Sequence, residues 1–351
     1  MTTGLLVSQG KYDGISIANI RVENPQQLEL LRSVGIRSLA CFDHAGSTPM
    51  LLDDEMIKFV RKHHVEYEIV ETNIDRRLKE FDQQREVARN RGLGGWYSDY
   101  KTWTEVNEKI TLLANNAPDI ASTFIVGTSH EGRSIHGIKI TGPGDTTNRP
   151  SVLFNGCQHA REWIAVMVPV FVAEQLIAGW DDDPEIRSLL ESTQVIIVPI
   201  VNPDGYEYTY ASDGDRFWRK NRRENGTSCR GVDLNRNWNI DWNGGDSTST
   251  NTCSDVYVGP NPFSEPEAQS LRNLIDAQEN LVAHIDFHNY SQLVLESWAY
   301  TYDPPERINV IKALSGAMSE AIEGVHGEVY IAGGNELLYP ADGTFQDWSS
   351  S

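Results

Sequence analysis

The chain has 351 residues, long enough for two domains, and 39% of them are hydrophobic, which provides for a large buried core. Its formal net charge of −20 at pH 7 argues against nucleic acid as a partner, because no net basic surface replaces phosphate counterions. No stretch approaches the roughly 20 apolar residues of a membrane span, and the N-terminus lacks the charged head and apolar run of a signal peptide, so neither a membrane partner nor secretion is predicted from these residues.

Residues 15–70 alternate between strand-like and helix-like segments in a way that suggests the order β-α-β-β-α-β. A proline opens the first predicted helix and an aspartate caps the second, and both are common signals of a helix start. The strands located are 15–22, 38–42 and 66–70, and the helices are 25–34 and 53–64. This order predicts a small ferredoxin-like α+β unit.

A charged connector at 75–91 follows and is predicted to be helical. It leads into the glycine-rich run 92–95, and such a run after a basic stretch is an exposed place for a protease to cut. Arg89 and Arg91 are the candidate sites for a trypsin-like protease. The alternative is a solvated connector with ordinary surface arginines.

From Trp96 onward, predicted helices alternate with apolar strands. The β-branched run 195–201 is typical of a strand buried in a parallel sheet. Further strands are predicted at 152–155 and 282–288, and helices at 164–178 and 266–278. The pattern predicts an α/β fold with a mixed, mostly parallel central sheet flanked by helices, whose ligand crevice lies beyond the strand C-termini.

His159, Glu162 and His288 form the most informative pattern in the chain. Two histidines and one glutamate are a standard ligand set for catalytic Zn²⁺, which keeps its fourth position for water. The three-residue spacing of His159 and Glu162 lets both side chains converge on one ion. Because H-x-x-E also occurs by chance, the assignment depends on the neighbouring motifs.

Those motifs occur in a fixed order from about Trp96 to Trp348. They are 199–206 (PIVNPDGY), 216–222 (RFWRKNR), 231–238 (GVDLNRNW), 288–292 (HNYSQ) and 339–343 (YPADG), the last followed by Asp347 and Trp348. Together they resemble the zinc carboxypeptidases of the carboxypeptidase A/B family.

The resemblance implies a zymogen of two parts. Residues 1–91 would be a propeptide-like inhibitory domain with its connector, and residues 96–351 the zinc carboxypeptidase catalytic domain. It also implies one Zn²⁺ held by His159, Glu162 and His288, hydrolysis of the C-terminal bond of peptides and proteins, activation by a trypsin-like protease, an extracellular location and a monomer.

The resemblance assigns roles around the metal. Asp233 would accept the outer N–H of the first histidine ligand, which fixes its tautomer. Arg219 would polarise the scissile carbonyl and stabilise the oxyanion. Asn235 and Arg236 would hold the terminal carboxylate of the substrate.

Five further residues match substrate-contacting positions of the family. Arg161 and Arg216 fit outer substrate positions, Tyr290 a subsite, and Tyr339 the mobile tyrosine that closes over bound substrate. Gln346 falls where the family sets side-chain preference. A neutral amide there offers no counter-charge to a terminal Lys or Arg, so a strong basic preference is not expected.

The four cysteines allow three pairings if all are bridged. The resemblance implies a disulfide between Cys229 and Cys253. Cys41 and Cys157 are interpreted as buried small hydrophobes rather than a bridge. His284 competes with His288 as a ligand but lacks the HNYSQ context.

The chain departs from the family at its general base. That glutamate lies in a strand after the Asp-Trp pair, and residues up to 351 contain no such motif. We therefore expect the last sheet strand and helix to be missing from this chain, and little turnover by it. Glu296, Glu328 and Glu336 receive no base role. The alternatives are a catalytically silent zinc- or peptide-binding protein or fragment, and an amidohydrolase on a related zinc fold, which the propeptide-like domain disfavours.

Overall fold

The computed structural model describes residues 10–40, 46–91, 95–245, 247–337 and 340–351, so Cys41 and Tyr339 lie outside the described residues. The strands are β1 (Ser16–Val22), β2 (Arg37–Ser38), β3 (Gly46–Leu52), β4 (Tyr67–Glu71), β5 (Ala121–Thr128), β6 (Ser134–Ile140), β7 (Ser151–Gly156), β8 (Gln194–Val198), β9 (Leu281–Phe287), β10 (Leu293–Leu295) and β11 (Ile331–Gly333). The helices are α1 (Pro25–Ser33), α2 (Asp54–Lys62), α3 (Ile74–Arg91), α4 (Trp103–Asn116), α5 (Ile164–Gly179), α6 (Pro184–Ser192), α7 (Pro203–Tyr210), α8 (Pro266–Asp276), α9 (Ile308–His326) and α10 (Phe345–Ser350).

The N-terminal strands form an antiparallel sheet in the order β2-β3-β1-β4, the arrangement of a ferredoxin-like split β-α-β unit. Asn24 and Asp53 cap α1 and α2 by accepting backbone N–H groups. Strand β3 was not located from the sequence, because its Gly, Ser, Thr and Pro residues are typical of turns. It forms because it pairs with β1 along seven residues and buries Met50 and Leu52.

Helix α3 joins this unit to the second one, as the charged connector predicted. Arg85 and Arg89, one turn apart, both donate from Nε to the buried carboxylate of Asp99. The guanidinium of Arg85 also lies 5.3 Å from the ring centroid of Trp163. The connector is therefore attached to the second unit over its last two turns.

The central sheet of the second unit has the order β5-β6-β8-β7-β9. Strand β7 pairs parallel with β8 and β9, whereas β5, β6 and β8 pair antiparallel. The predicted mixed sheet is confirmed, with equal numbers of parallel and antiparallel pairings among these strands. The parallel pairing matters for function, because it places the ends of β7 and β9 side by side.

Helices cover both faces of this sheet. All five residues of β8 are buried, as its β-branched run predicted. Val195 and Ile197 face a cluster that includes α4 and α5, whereas Ile196 and Val198 face α8 and the ring of Trp238. The period-two alternation of β8 thus supplies both cores.

The predicted disulfide between Cys229 and Cys253 is present, with the two Cα atoms 5.0 Å apart. It closes a loop across 24 positions, which is worth about 3 to 4 kcal/mol in the chain-entropy model. Cys157 is buried and unbridged, as interpreted from the sequence. The disulfide therefore constrains the segment that carries Asp233, Asn235 and Arg236.

No single helix in the described ranges is both long and apolar enough to cross a bilayer. Helices α5 and α6 pass the test only together, by length and composition, and the pair is bent by 106°. Seven residues of α5 are buried within the protein, including Val166 and Val170.

Replacing Ile197 with alanine is expected to lower the free energy of unfolding by about 3 kcal/mol, because the change leaves a cavity in a fully buried strand. Urea denaturation monitored by circular dichroism measures the loss. Ile125→Ala is the matched control, since Ile125 is 56% exposed and its truncation is expected to cost less than about 1 kcal/mol. Equal losses in the two variants would contradict the assignment of the core.

Candidate metal centre and substrate cleft

Three side chains converge beyond the adjacent ends of β7 and β9. His159 follows β7, Glu162 precedes α5, and His288 comes directly after β9. The Nδ1 atoms of His159 and His288 lie 3.1 Å apart. One oxygen of Glu162 lies 2.8 Å from Nδ1 of His159, and the other lies 3.0 Å from Nδ1 of His288. The parallel pairing of β7 and β9 therefore brings together ligands that are 129 positions apart.

Each histidine presents its other ring nitrogen to a carboxylate. Nε2 of His159 lies 3.2 Å from Asp233, and Nε2 of His288 lies 2.7 Å from Asp286. With the ring protons donated outward, both Nδ1 lone pairs and the Glu162 carboxylate face one point, an arrangement that a cation stabilises.

The observed spacing of these atoms suits a metal ion. Tetrahedral zinc bonds near 2.1 Å place ligand atoms about 3.4 Å apart, close to the observed 3.1 Å between the imidazole nitrogens. Burial opposes ionisation of Glu162, but His159 and His288 outweigh it and hold the pKa of this carboxyl well below its ordinary value. The Glu162 carboxyl group is therefore ionised, the form in which it can act as a metal ligand.

Asp286 is a further residue of the candidate site, and sequence reasoning missed it. Besides facing His288, its carboxylate accepts hydrogen bonds from the side-chain amides of Asn155 and Gln158. A signal existed, because Asp286 lies on β9 only two residues before His288, which directly follows the strand, and residues two apart in extended chain project to the same side. His284, the competing histidine, packs instead against the ring of Phe345.

Asp233 links the histidine ligand to Arg219. Its Oδ1 faces His159, and its Oδ2 accepts from Nε and Nη2 of Arg219 at 3.0 and 2.8 Å. Burial opposes ionisation of Asp233, but Arg219 and His159 outweigh it and keep its pKa well below the ordinary value. Asp233 thus holds the guanidinium of Arg219, which is predicted to polarise the scissile carbonyl, close to the candidate ligand His159.

Asn235 and Arg236 lie on a buried 3-10 turn that Asp233 begins. Oδ1 of Asp233 accepts the Asn235 N–H at 3.0 Å, and Oδ1 of Asn235 accepts the Phe345 N–H at 2.8 Å. Nδ2 of Asn235 is buried without a hydrogen-bond partner in the described part of the chain. Nη1 of Arg236 donates to the carbonyl of Asn235 at 2.6 Å. The turn thus carries a buried amide donor beside a guanidinium.

The two predicted outer arginines have different surroundings. Arg161 donates from Nη1 and Nη2 to the carbonyls of Ser38 and Ala40, both at 2.9 Å, so the N-terminal unit lies on it. Arg216 donates to the carbonyl of Arg161 and stacks 3.7 Å from the ring centroid of Trp163. These contacts give Arg216 an architectural role here, and its substrate role stays a prediction.

Of the remaining predicted residues, the structure describes Tyr290 and Gln346. Tyr290 follows His288 by two residues and is 56% exposed. Gln346 is half-buried on α10, directly after Phe345, whose N–H binds Asn235. Tyr339 lies outside the described residues, so its role stays a prediction.

The three glutamates without an assigned role have contacts elsewhere. Glu296 accepts from Ser315 of α9, and Glu328 accepts from the side chain of Gln292. Glu336 accepts a backbone N–H within its own loop. These contacts give no support for a general-base role of any of the three.

The zinc carboxypeptidase family model matches residues 106–351. Zinc carboxypeptidase A 1 of Anopheles gambiae is 33% identical over 327 residues, covering 92% of this chain and 71% of that protein. Carboxypeptidase B of Rattus norvegicus is 32% identical over 362 residues, covering 97% and 84%. The crystal structure of carboxypeptidase A from Helicoverpa armigera superposes with a TM-score of 0.85 at 25% identity, covering 97% of this chain and 86% of that one.

Replacing His159 with alanine is expected to lower zinc content at least tenfold, because a ligand is lost. Asp286→Ala is expected to weaken zinc affinity about 10- to 100-fold, because the ring of His288 loses its acceptor. Metal analysis and competition with a chelating dye measure the two effects, with near-stoichiometric zinc expected in the unsubstituted chain. His326→Ala, exposed at the end of α9, is the control. Unchanged zinc content in His159→Ala would refute the ligand set.

Proposed function

The chain belongs to the zinc carboxypeptidase family, and from this membership we propose how its own residues hold the metal and the substrate. It is a metallocarboxypeptidase, a hydrolase whose substrates are peptides. We infer that His159, Glu162 and His288 bind one Zn²⁺. The observation that carries this assignment is the convergence of their ligand atoms, with both outer ring nitrogens facing carboxylates.

Bound zinc would supply a Lewis acid and an activated water at this point. Arg219 donates toward the negative charge that develops on the scissile carbonyl oxygen, and such a donor is worth about 3 to 4 kcal/mol in comparable sites. Asp233 holds Arg219 and His159 through its two oxygens, so both keep their orientation during the reaction.

Asn235 and Arg236 bind the terminal carboxylate of the substrate. The buried Nδ2 donor of Asn235 supports this role, because a buried donor without a partner is costly until a ligand accepts from it. Arg236 adds the guanidinium that pairs with carboxylates. A free C-terminus is thereby distinguished from an internal peptide bond.

Gln346 is proposed to set the preference for the terminal side chain. It follows Phe345, which contacts Asn235, so it lies next to the proposed carboxylate-binding turn. Its amide offers no negative charge to a terminal Lys or Arg. Neutral terminal residues are therefore the expected substrates.

Residues 1–91 are proposed to be the inhibitory propeptide, and the contacts of Arg161 with Ser38 and Ala40 support this role.

The Cys229–Cys253 disulfide supports an extracellular location, because structural disulfides persist in oxidising compartments. We propose a monomer. The catalytically silent alternative has no support from the comparisons, which match carboxypeptidases.

Peptide hydrolysis tests the proposed function. The 351 residues alone are expected to turn over slowly, because no assigned general base is among them. An extended chain with a family-like glutamate strand is expected to release terminal Leu and Phe faster than Lys in a chelator-sensitive reaction. Gln346→Glu is expected to raise the relative rate for Lys, with Gln278→Glu, at a half-buried position just after α8, as the control. No release by the extended chain would contradict the function, and fast release by the 351 residues would show that another group is the base.

Limited trypsin digestion is expected to cut after Arg91 rather than Arg89. Arg89 lies within α3 and is bound by Asp99, whereas Arg91 is the last residue of the helix. N-terminal sequencing should find a stable large fragment that begins at Gly92. Arg91→Gln is expected to slow the cut strongly and Arg89→Gln to leave it nearly unchanged. Cuts scattered through the central sheet would contradict the two-domain division.

A further inference from the structure

Asp215 is a buried carboxylate of the second unit whose side-chain partners come from the first. The Tyr12 hydroxyl donates to its Oδ1 at 2.6 Å, and Nη1 of Arg37 donates to its Oδ2 at 2.7 Å. Within the described residues its other hydrogen bond comes from the backbone N–H of Phe217. Burial opposes ionisation of Asp215, but Arg37 and Tyr12 outweigh it and hold its pKa below the ordinary value.

Two acceptors of the second unit bind the two terminal nitrogens of the Arg37 guanidinium. While Nη1 binds Asp215, Nη2 donates to the carbonyl of Phe217 at 2.8 Å. A second carboxylate, Asp255, lies with its Oδ2 3.8 Å from Nε of Arg37 and 3.7 Å from Nη1 of Arg161, at ion-pair rather than hydrogen-bond distance from both. Asp215 and the Phe217 carbonyl thus bind the Arg37 guanidinium directly, and Asp255 lies between Arg37 and Arg161, an arrangement that favours a basic side chain at the position of Arg37.

The chain that leaves Arg37 continues toward the metal centre. The carbonyls of Ser38 and Ala40 both accept from Arg161, which lies between His159 and Glu162 in sequence. Residues 37–40 therefore lie against the second unit as a bound peptide would. They present one basic side chain to the acidic groups and two carbonyls to an arginine beside the cluster.

We propose that Asp215, Asp255 and the Phe217 carbonyl form an outer subsite for a Lys or Arg side chain on the N-terminal side of the scissile bond, which Arg37 fills until residues 1–91 are removed. Removal takes away Tyr12 and Arg37 together and leaves the Asp215 carboxylate in need of a cation. The inference rests on the proposed carboxypeptidase function and adds a substrate class to it. The enzyme would then favour a basic residue upstream while disfavouring one at the terminus.

Binding measurements test the subsite without requiring turnover. The labelled peptides all end in Leu. For the second, third, fourth and fifth positions from the C-terminus, one peptide carries Arg at that position and a matched peptide carries Gln. The Kd of each peptide is measured by fluorescence anisotropy. The zinc-loaded full chain is used before and after limited trypsin cleavage, with trypsin inhibited before the peptides are added. At one position the cleaved chain is expected to bind the Arg peptide about fivefold more tightly than the Gln peptide. The uncleaved chain is expected to show no such difference.

Two substitutions complete the design. Asp215→Asn keeps the acceptor for the Phe217 N–H and is expected to reduce the Arg-to-Gln ratio to about one. Asp213→Asn, exposed two residues earlier, is expected to keep the ratio. Equal affinities at every position in the cleaved chain, or a preference that persists in Asp215→Asn, would overturn the subsite. If neither peptide binds the cleaved chain at any position, the carboxypeptidase function itself fails.

Discussion

The carboxylate of Asp233 is the contact on which the rest of the cleft depends. One oxygen faces Nε2 of His159 and also accepts the N–H of Asn235, and the other oxygen binds Arg219. A group buried this completely cannot turn to water if one partner is lost, so all partners are held in fixed mutual positions. His159, Arg219 and the turn that carries Asn235, to which three separate roles are proposed, are thereby parts of one rigid unit.

Much of this arrangement could be predicted from the sequence, because the signals were local. The β-branched run of β8 predicted a fully buried strand, and the order of the motifs around His159 predicted the ligand set. What escaped prediction depends on neighbours remote in sequence. Strand β3 contains several turn-forming residues and exists because β1 pairs with it, and the Asp286 carboxylate is oriented by the side-chain amides of Asn155 and Gln158, which lie far away in sequence. Register and second contacts of this kind are set by tertiary packing, which local propensity does not encode.

The N-terminal unit contacts the second unit in two ways, through backbone carbonyls and through one charged side chain. Both terminal nitrogens of Arg161 donate hydrogen bonds to backbone carbonyls of that unit, so this contact depends on the backbone conformation and not on which side chains are present. Arg37 supplies the complementary side-chain contact with Asp215. Inhibition by a covalently attached segment needs little intrinsic affinity, because attachment gives that segment a high effective concentration. The few polar contacts of Arg161 and Arg37 are therefore compatible with the propeptide role proposed for residues 1–91.

The two arginines of α3 that bind Asp99 have a consequence for the activation proposed above. Cutting the chain beyond the helix breaks one covalent link and leaves both ion pairs in place. The severed unit then departs only by dissociation, at a rate that rises with ionic strength because Arg89 is partly exposed to screening ions. In the proposed zymogen, scission and the onset of activity are thus separate events, and the ionic strength of the medium affects the delay between them.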